Sequence, residues 1–111
     1  MKKTTRPLTT LKHTCGDAAQ TLDDVTGFVA QTTIGVLKRN VTGVTVTCET
    51  NDIRFSFTAT PTQDGGTAVG HVLEAGCSMI LEGPRFVTGF TFINKVNGSN
   101  AILQITPEIN L

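Results

Sequence analysis

The stretch Ile53-Arg54-Phe55-Ser56-Phe57-Thr58-Ala59-Thr60 decides the fold class, because apolar and polar residues swap at every step. A strand points successive side chains to opposite faces. This segment is therefore predicted to bury Ile53, Phe55, Phe57 and Ala59 and to wet the residues between them. The alternation returns at Phe86-Val87-Thr88-Gly89-Phe90-Thr91-Phe92. It predicts a second strand over Phe86–Asn94, with Phe90 and Phe92 facing the same interior.

Working outward, Val41–Cys48 reads as a strand with Val44, Val46 and Cys48 on one face. Asn51-Asp52 then turns the chain back, which predicts a hairpin. Cys77–Glu82 places Met79 and Leu81 on one face and Ile80 on the other, and Gly83-Pro84 breaks it. Asn97-Gly98 is a tight-turn signal, so Ala101–Thr106 is predicted to complete a hairpin that Pro107 stops. Pro61-Thr62-Gln63-Asp64-Gly65-Gly66 reads as a loop, followed by a short strand over Thr67–Leu73. Residues 15–33 read as a loop and a strand near Gly27–Gln31, with a helical turn as the other possibility for Asp17–Leu22. The expected fold is all-β: an antiparallel β-sandwich or jelly-roll-like barrel of about seven or eight strands. It occupies residues 15–111 as a single domain, preceded by an extended N-terminal arm over residues 1–14.

A chain of 111 residues supports one core. Nine Lys and Arg balance nine Asp and Glu, so no long-range field favours nucleic acid or an anionic membrane. Charged residues make up 16% of the chain, below the usual ~25%, which suits a surface packed against other proteins. There are six Phe but no Trp or Tyr, which argues against stacking sites for sugars or single-stranded nucleic acid. Cys15, Cys48 and Cys77 are an odd number at wide spacing, and no apolar run of the kind found in secretory signals follows Lys2-Lys3. The expectation is a reducing compartment with three free thiols behaving as small buried hydrophobes. No apolar stretch approaches the ~20 residues of a membrane span.

The chain offers weak material for chemistry. His13 and Cys15 form one close pair, with His71 and Cys77 elsewhere, whereas zinc takes four ligands, usually as two close pairs. Asp17, Asp23 and Asp24 lack the alternating ligands and central Gly of a calcium loop. Glu74, Glu82 and Glu108 lie in different segments, and no Cys-His signature accompanies the thiols. The expectation is a protein that is not an enzyme and takes no metal or cofactor. Lys2, Lys3, Arg6 and Lys12 form the basic cluster, with Leu8 and Leu11 among them. These six residues are the expected partner-binding set: the charges would dock on an acidic protein surface and the leucines would add apolar contacts.

Ala59-Thr60-Pro61-Thr62, Leu73-Glu74-Ala75-Gly76-Cys77-Ser78, Phe90-Thr91-Phe92-Ile93-Asn94 and Ala101-Ile102-Leu103-Gln104-Ile105-Thr106 follow one another through the second half of the chain. Together they resemble small virion proteins of tailed phages, the β-sandwich decoration or cement proteins that sit on the capsid. The resemblance rests on the Leu-x-Ala-Gly turn before a strand, the Phe-rich strand ending in Phe-Ile-Asn, and the last strand. It implies a subunit made in the host cytoplasm and carried on the capsid exterior of the virion. That subunit would bridge major capsid protein subunits and assemble as a homo-oligomer, dimer or trimer. The same architecture also serves tail, fibre and host-attachment subunits.

Overall fold

The computed structural model describes residues 5–34, 37–38 and 41–110. The strands are β1 (Thr5–Pro7), β2 (Leu11–Cys15), β3 (Gln20–Thr21), β4 (Thr33–Ile34), β5 (Leu37–Lys38), β6 (Val41–Glu49), β7 (Ile53–Ser56), β8 (His71–Leu73), β9 (Ser78–Glu82), β10 (Thr91–Asn94) and β11 (Ala101–Asn110). Two short helices interrupt them, α1 (Phe28–Thr32) and α2 (Pro84–Gly89). One antiparallel sheet runs β1–β11–β6–β9, with β2 continuing β1 along the same side of β11. A second runs β3–β10–β7–β8, and β4 and β5 form a small separate pair. The all-β expectation holds at this level.

The two large sheets share one core. Val44, Val46, Leu103 and Ile105 come from the first sheet, and Ile53 and Phe92 from the second; all six are essentially inaccessible. The expected faces of β6 and β9 are observed. Val44, Val46 and Cys48 are buried, Leu81 is buried, and Met79 is partly buried against the core.

Both predicted hairpins prove to be crossings between sheets. Asn51-Asp52 connects β6 of the first sheet to β7 of the second, and Asn97-Gly98 connects β10 of the second to β11 of the first. Gly98 supplies the positive φ of 78° that such a reversal needs. Turn residues reverse the chain, but they do not select which strand receives the next set of hydrogen bonds. That choice follows from covering two apolar faces with each other.

The Phe86–Asn94 strand is also corrected. Pro84–Gly89 is helical, and only Thr91–Asn94 is strand. Gly83 at φ 86° and Pro84 in the first turn start the helix, since a fixed φ is pre-organised there and the missing N–H costs nothing. The chain must cross from β9 to β10 at this point, and a six-residue helix carries it over with Val87 buried beneath. The predicted strand near Gly27–Gln31 is likewise α1, where Thr32 Oγ1 donates to the Phe28 carbonyl at 2.8 Å. Pairing in β7 ends at Ser56: Ser56 is buried, Phe55 and Phe57 are half-buried, and Ala59 is exposed. The strand expected over Thr67–Leu73 is confined to His71–Leu73.

From Thr5 onward the chain does not form a free arm. Thr5–Pro7 pairs with Glu108–Asn110, and Leu11–Cys15 pairs with Ala101–Ile105. Residues 1–4 lie outside the described residues. The segment carries no apolar period that would announce a strand, but the second side of β11 has backbone groups that need partners, and this segment supplies them. Strand β11 also continues through Pro107 instead of stopping there. The Pro107 carbonyl accepts from Leu8 N–H at 2.8 Å, so its missing N–H points to the break between β1 and β2, where no strand partner waits.

Phe90 is inaccessible, whereas Phe57 is only half-buried. Phe90→Ala is expected to cost roughly 3–5 kcal/mol in urea unfolding. Phe57→Ala should cost clearly less, because part of its ring already meets water. Equal losses would place Phe57 in the closed core.

Candidate interaction surface

Five of the six phenylalanines and both histidines form one connected aromatic array. Ring centroids lie 5.0 Å apart for Phe86–Phe57, 5.9 Å for Phe57–Phe90, 5.5 Å for Phe90–Phe92 and 5.7 Å for Phe92–His13. Phe55 joins Phe57, Phe90 and His71 at 5.6–5.7 Å. The array runs from the core to the surface, where Phe86 is 50% exposed and His71 is exposed. Gly89 makes this approach possible: a Cβ there would lie 2.8 Å from the Phe57 carbonyl oxygen. The helix end can therefore close on Phe57 and set Phe86 against its ring.

More apolar surface lies on the free edges of the two sheets. Ile80 on β9 is 64% exposed and Val72 on β8 is 40% exposed. Sequence alternation had already placed Ile80 on the face opposite Met79 and Leu81, so an apolar residue on an outer face was the available signal. The exposure of Phe86 was hidden, because its alternation with Val87 mimics a strand.

The expected partner-binding residues spread along the opposite edge of the first sheet. Arg6 and Lys12 are exposed on β1 and β2. Leu8 is half-buried, and its N–H is taken by Pro107. Leu11 packs against the core of its own domain, so it is not a free apolar contact. Lys2 and Lys3 lie outside the described residues.

The polar residues gather where the chain crosses between sheets. Asp17 Oδ1 accepts from Asn94 Nδ2 at 2.7 Å, from Gly98 N–H at 2.9 Å and from Gln63 Nε2 at 3.0 Å. Asn94 is fully buried, and its own Oδ1 accepts from Gln63. Asp64 accepts from Lys95 Nζ at 2.6 Å and from Arg54 Nη2 at 2.6 Å, and Arg54 Nη1 donates to the Gly70 carbonyl. The Asn94 and Gly98 donors hold the Asp17 carboxyl below its ordinary range, and Lys95 and then Arg54 do the same for Asp64. These groups satisfy one another, which fits a role in joining loops. A neighbouring cleft of about 160 Å³ is lined by Thr50, Asn51, Asp52, Lys95, Val96 and Ser99. It is smaller than the roughly 300–1,000 Å³ of ordinary small-molecule sites.

The residues weighed for metal binding are dispersed. His13 Nε2 is hydrogen-bonded to Gln20 Oε1 at 2.8 Å, His71 lies against Phe55, and Asp24 accepts from Thr21 N–H at 2.9 Å. Among the described residues no three His, Cys, Asp or Glu side chains gather as a metal site. All three cysteines are free, but only Cys15 and Cys48 are buried; Cys77 is exposed, contrary to expectation. Burial, aided by the neighbouring Cys48, pushes the Cys15 thiol up to about 12. Burial pushes Cys48 up to about 11. Comparison with family models, with curated proteins and with solved structures finds no match to this chain.

Two measurements follow from these groups. A thiol reagent at neutral pH should modify Cys77 quickly in the native protein and reach Cys15 and Cys48 only on unfolding, because the thiolate is the nucleophile. Fast modification of all three would contradict the burial. Asp17 and Asp64 have folded pKa values below their unfolded ones. Their contribution to stability is therefore complete above the unfolded value of ~3.9 and is lost as pH falls through the depressed folded values. Asp64→Asn should lower stability at pH 7 and flatten the acid limb, as read by thermal melts across pH; an unchanged limb would show that the triad is not coupled to folding.

Proposed function

We propose that the protein is a non-enzymatic virion structural subunit of a phage, decorating the capsid exterior and bridging major capsid subunits. The two facing sheets are read as an open-edged β-sandwich that serves as a rigid spacer. The carrying observation is that one sheet ends in two chemically different edges. The β1/β2 edge carries the exposed cations Arg6 and Lys12, and the β9 edge carries the exposed Ile80. A subunit that contacts two neighbours needs two such surfaces, and engaging both raises avidity without tighter individual contacts. Binding only to the assembled shell would stabilise that shell by mass action. In this reading the basic edge docks on an acidic patch, Lys2 and Lys3 are read as further partner contacts, and Leu8 and Leu11 serve the fold.

Particles lacking the protein are expected to release their genome at lower temperature or under milder osmotic shock than complete particles. Arg6→Glu combined with Lys12→Glu should reduce occupancy on those particles, most strongly at low salt. A cryo-EM map of the virion checks the location directly. Density confined to the tail would assign the fold to a tail, fibre or attachment subunit instead, and equal robustness with and without the protein would remove the cementing role.

A further inference from the structure

The register of β9 determines which of its backbone groups point away from β6. Cys48 N–H donates to the Cys77 carbonyl at 2.9 Å, and Gly83 N–H donates to the Thr42 carbonyl at 2.9 Å. Both bonds join residues that face each other when the β6–β9 pairing, Thr47 opposite Ser78 to Gly43 opposite Glu82, is continued at either end. Strand polar groups alternate sides. Met79 and Leu81 therefore turn their N–H and C=O towards β6, and Ser78, Ile80 and Glu82 turn theirs outward from the sheet.

Exposed edges are ordinarily blunted by charge, by Pro or by shortness. The β1/β2 edge carries Arg6, Pro7 and Lys12. The second sheet ends in β3, two residues long, and β8, three residues long. Strand β9 has five residues, no Lys, Arg or Pro, and the most exposed of the large apolar side chains, Ile80. Its one charge is Glu82 at the strand's end, so it is the least guarded edge among the described strands of the two large sheets.

We infer that β9 pairs with β9 of a second copy of this chain, antiparallel about a two-fold axis at Ile80. Such an interface is isologous, so the strand must complement itself, and β9 does. Ile80 would face its own copy, and Ser78 would face the other copy's Glu82. Every outward backbone group of the strand would then find a partner. The single charge of the strand would meet the Ser78 hydroxyl, which is also hydrogen-bonded to Thr47 Oγ1 of its own copy at 2.7 Å, and the two exposed Ile80 side chains would cover each other on the outer face.

Neighbouring registers are poorer. Centring the pair on Met79 sets Ile80 against Ser78, so the two isoleucines no longer cover each other, and Glu82 against Gly76, which lies in the turn before the strand. Centring the pair on Glu82 opposes two carboxylates, and centring it on Ser78 sets Glu74 against Glu82. Centring it on Leu81 places Ser78 against Pro84, which has no N–H to give. The pairing joins two copies of the first sheet into one continuous sheet and leaves both basic edges at its far ends. A pairing confined to a five-residue strand of each copy is a small contact, so association is weak and depends on concentration. Only the edge geometry carries this inference, and it stands whether or not the protein belongs to a virion.

The test is sedimentation of the full chain from micromolar to millimolar concentration, beside Ile80→Lys and Ser78→Lys. The wild type should show a monomer–dimer equilibrium. Ile80→Lys sets two like charges opposite each other and should weaken the dimer by about tenfold or more. Its circular dichroism should be unchanged, because Ile80 is 64% exposed. Ser78→Lys faces the other copy's Glu82 and should tighten the dimer. A wild type that stays monomeric at millimolar concentration overturns the inference. So does a dimer indifferent to Ile80→Lys, or one weakened by Ser78→Lys.

Discussion

Strand β11 is paired along both sides, and the rest of the first sheet depends on that. On one side it holds β6 from Ile102 to Ile109, and on the other it holds β2 and then β1. Its side chains alternate without a break: Ala101, Leu103, Ile105, Pro107 and Ile109 are buried and the residues between them are partly open. A slip of one residue would turn that entire apolar row to water, so the register is strongly specified. One shift near Glu108 and Ile109 is accommodated at the end of the pairing, where a bulge disturbs little.

The core formed on this strand is shared by two sheets only because the chain crosses between them repeatedly. Those crossings leave loops whose backbone groups need partners, and the Asp17 carboxylate supplies one junction. Its Oδ1 ties the β2–β3 connection to the end of β10, to the Asn97-Gly98 turn and to the loop carrying Gln63. Asn94 can be fully buried because each of its side-chain atoms has a partner there. The Arg54–Asp64–Lys95 triad fastens the same long loop to the second sheet a few residues away. Arg54 and Lys95 are partly buried and Asp64 is more open, so the triad fixes the loop's position and adds a modest, solvent-screened stabilisation.

What the ordered core leaves outside is informative. An aromatic array that begins in the core reaches the surface at Phe86 and His71. One edge of the first sheet is guarded by cations and a proline, and the other carries the exposed Ile80 between Ser78 and Glu82. Strand edges left open in this way offer main-chain hydrogen bonds to another strand, with side-chain pattern deciding which one. A small domain of low charge with two unlike edges has the physical means to join neighbours.

The sequence by itself determined that the chain pairs as antiparallel strands and which faces of β6 and β9 are buried. The alternation at Val44, Val46 and Cys48 and at Met79, Ile80 and Leu81 reports burial directly, because the strand period is two and does not depend on which neighbour lies alongside. It misreads β7, where Ser56 is buried and Phe55 and Phe57 are half-buried, because core and aromatic array enclose both faces of that strand's end. Tertiary structure alone decided the rest. Phe86-Val87 alternates as a strand would, yet it forms a helix, because the chain must leave one sheet for the other at that point and Gly83-Pro84 lets it turn. Asn51-Asp52 and Asn97-Gly98 look like hairpin turns, yet each joins different sheets, since local backbone preferences reverse a chain without choosing its partner. The segment from Thr5 to Cys15 reads as an arm until the open side of β11 is present to take its hydrogen bonds. The exposed position of Phe86 and the outward backbone of Ser78, Ile80 and Glu82 depend on contacts between residues far apart in the chain, and no local pattern encodes such contacts.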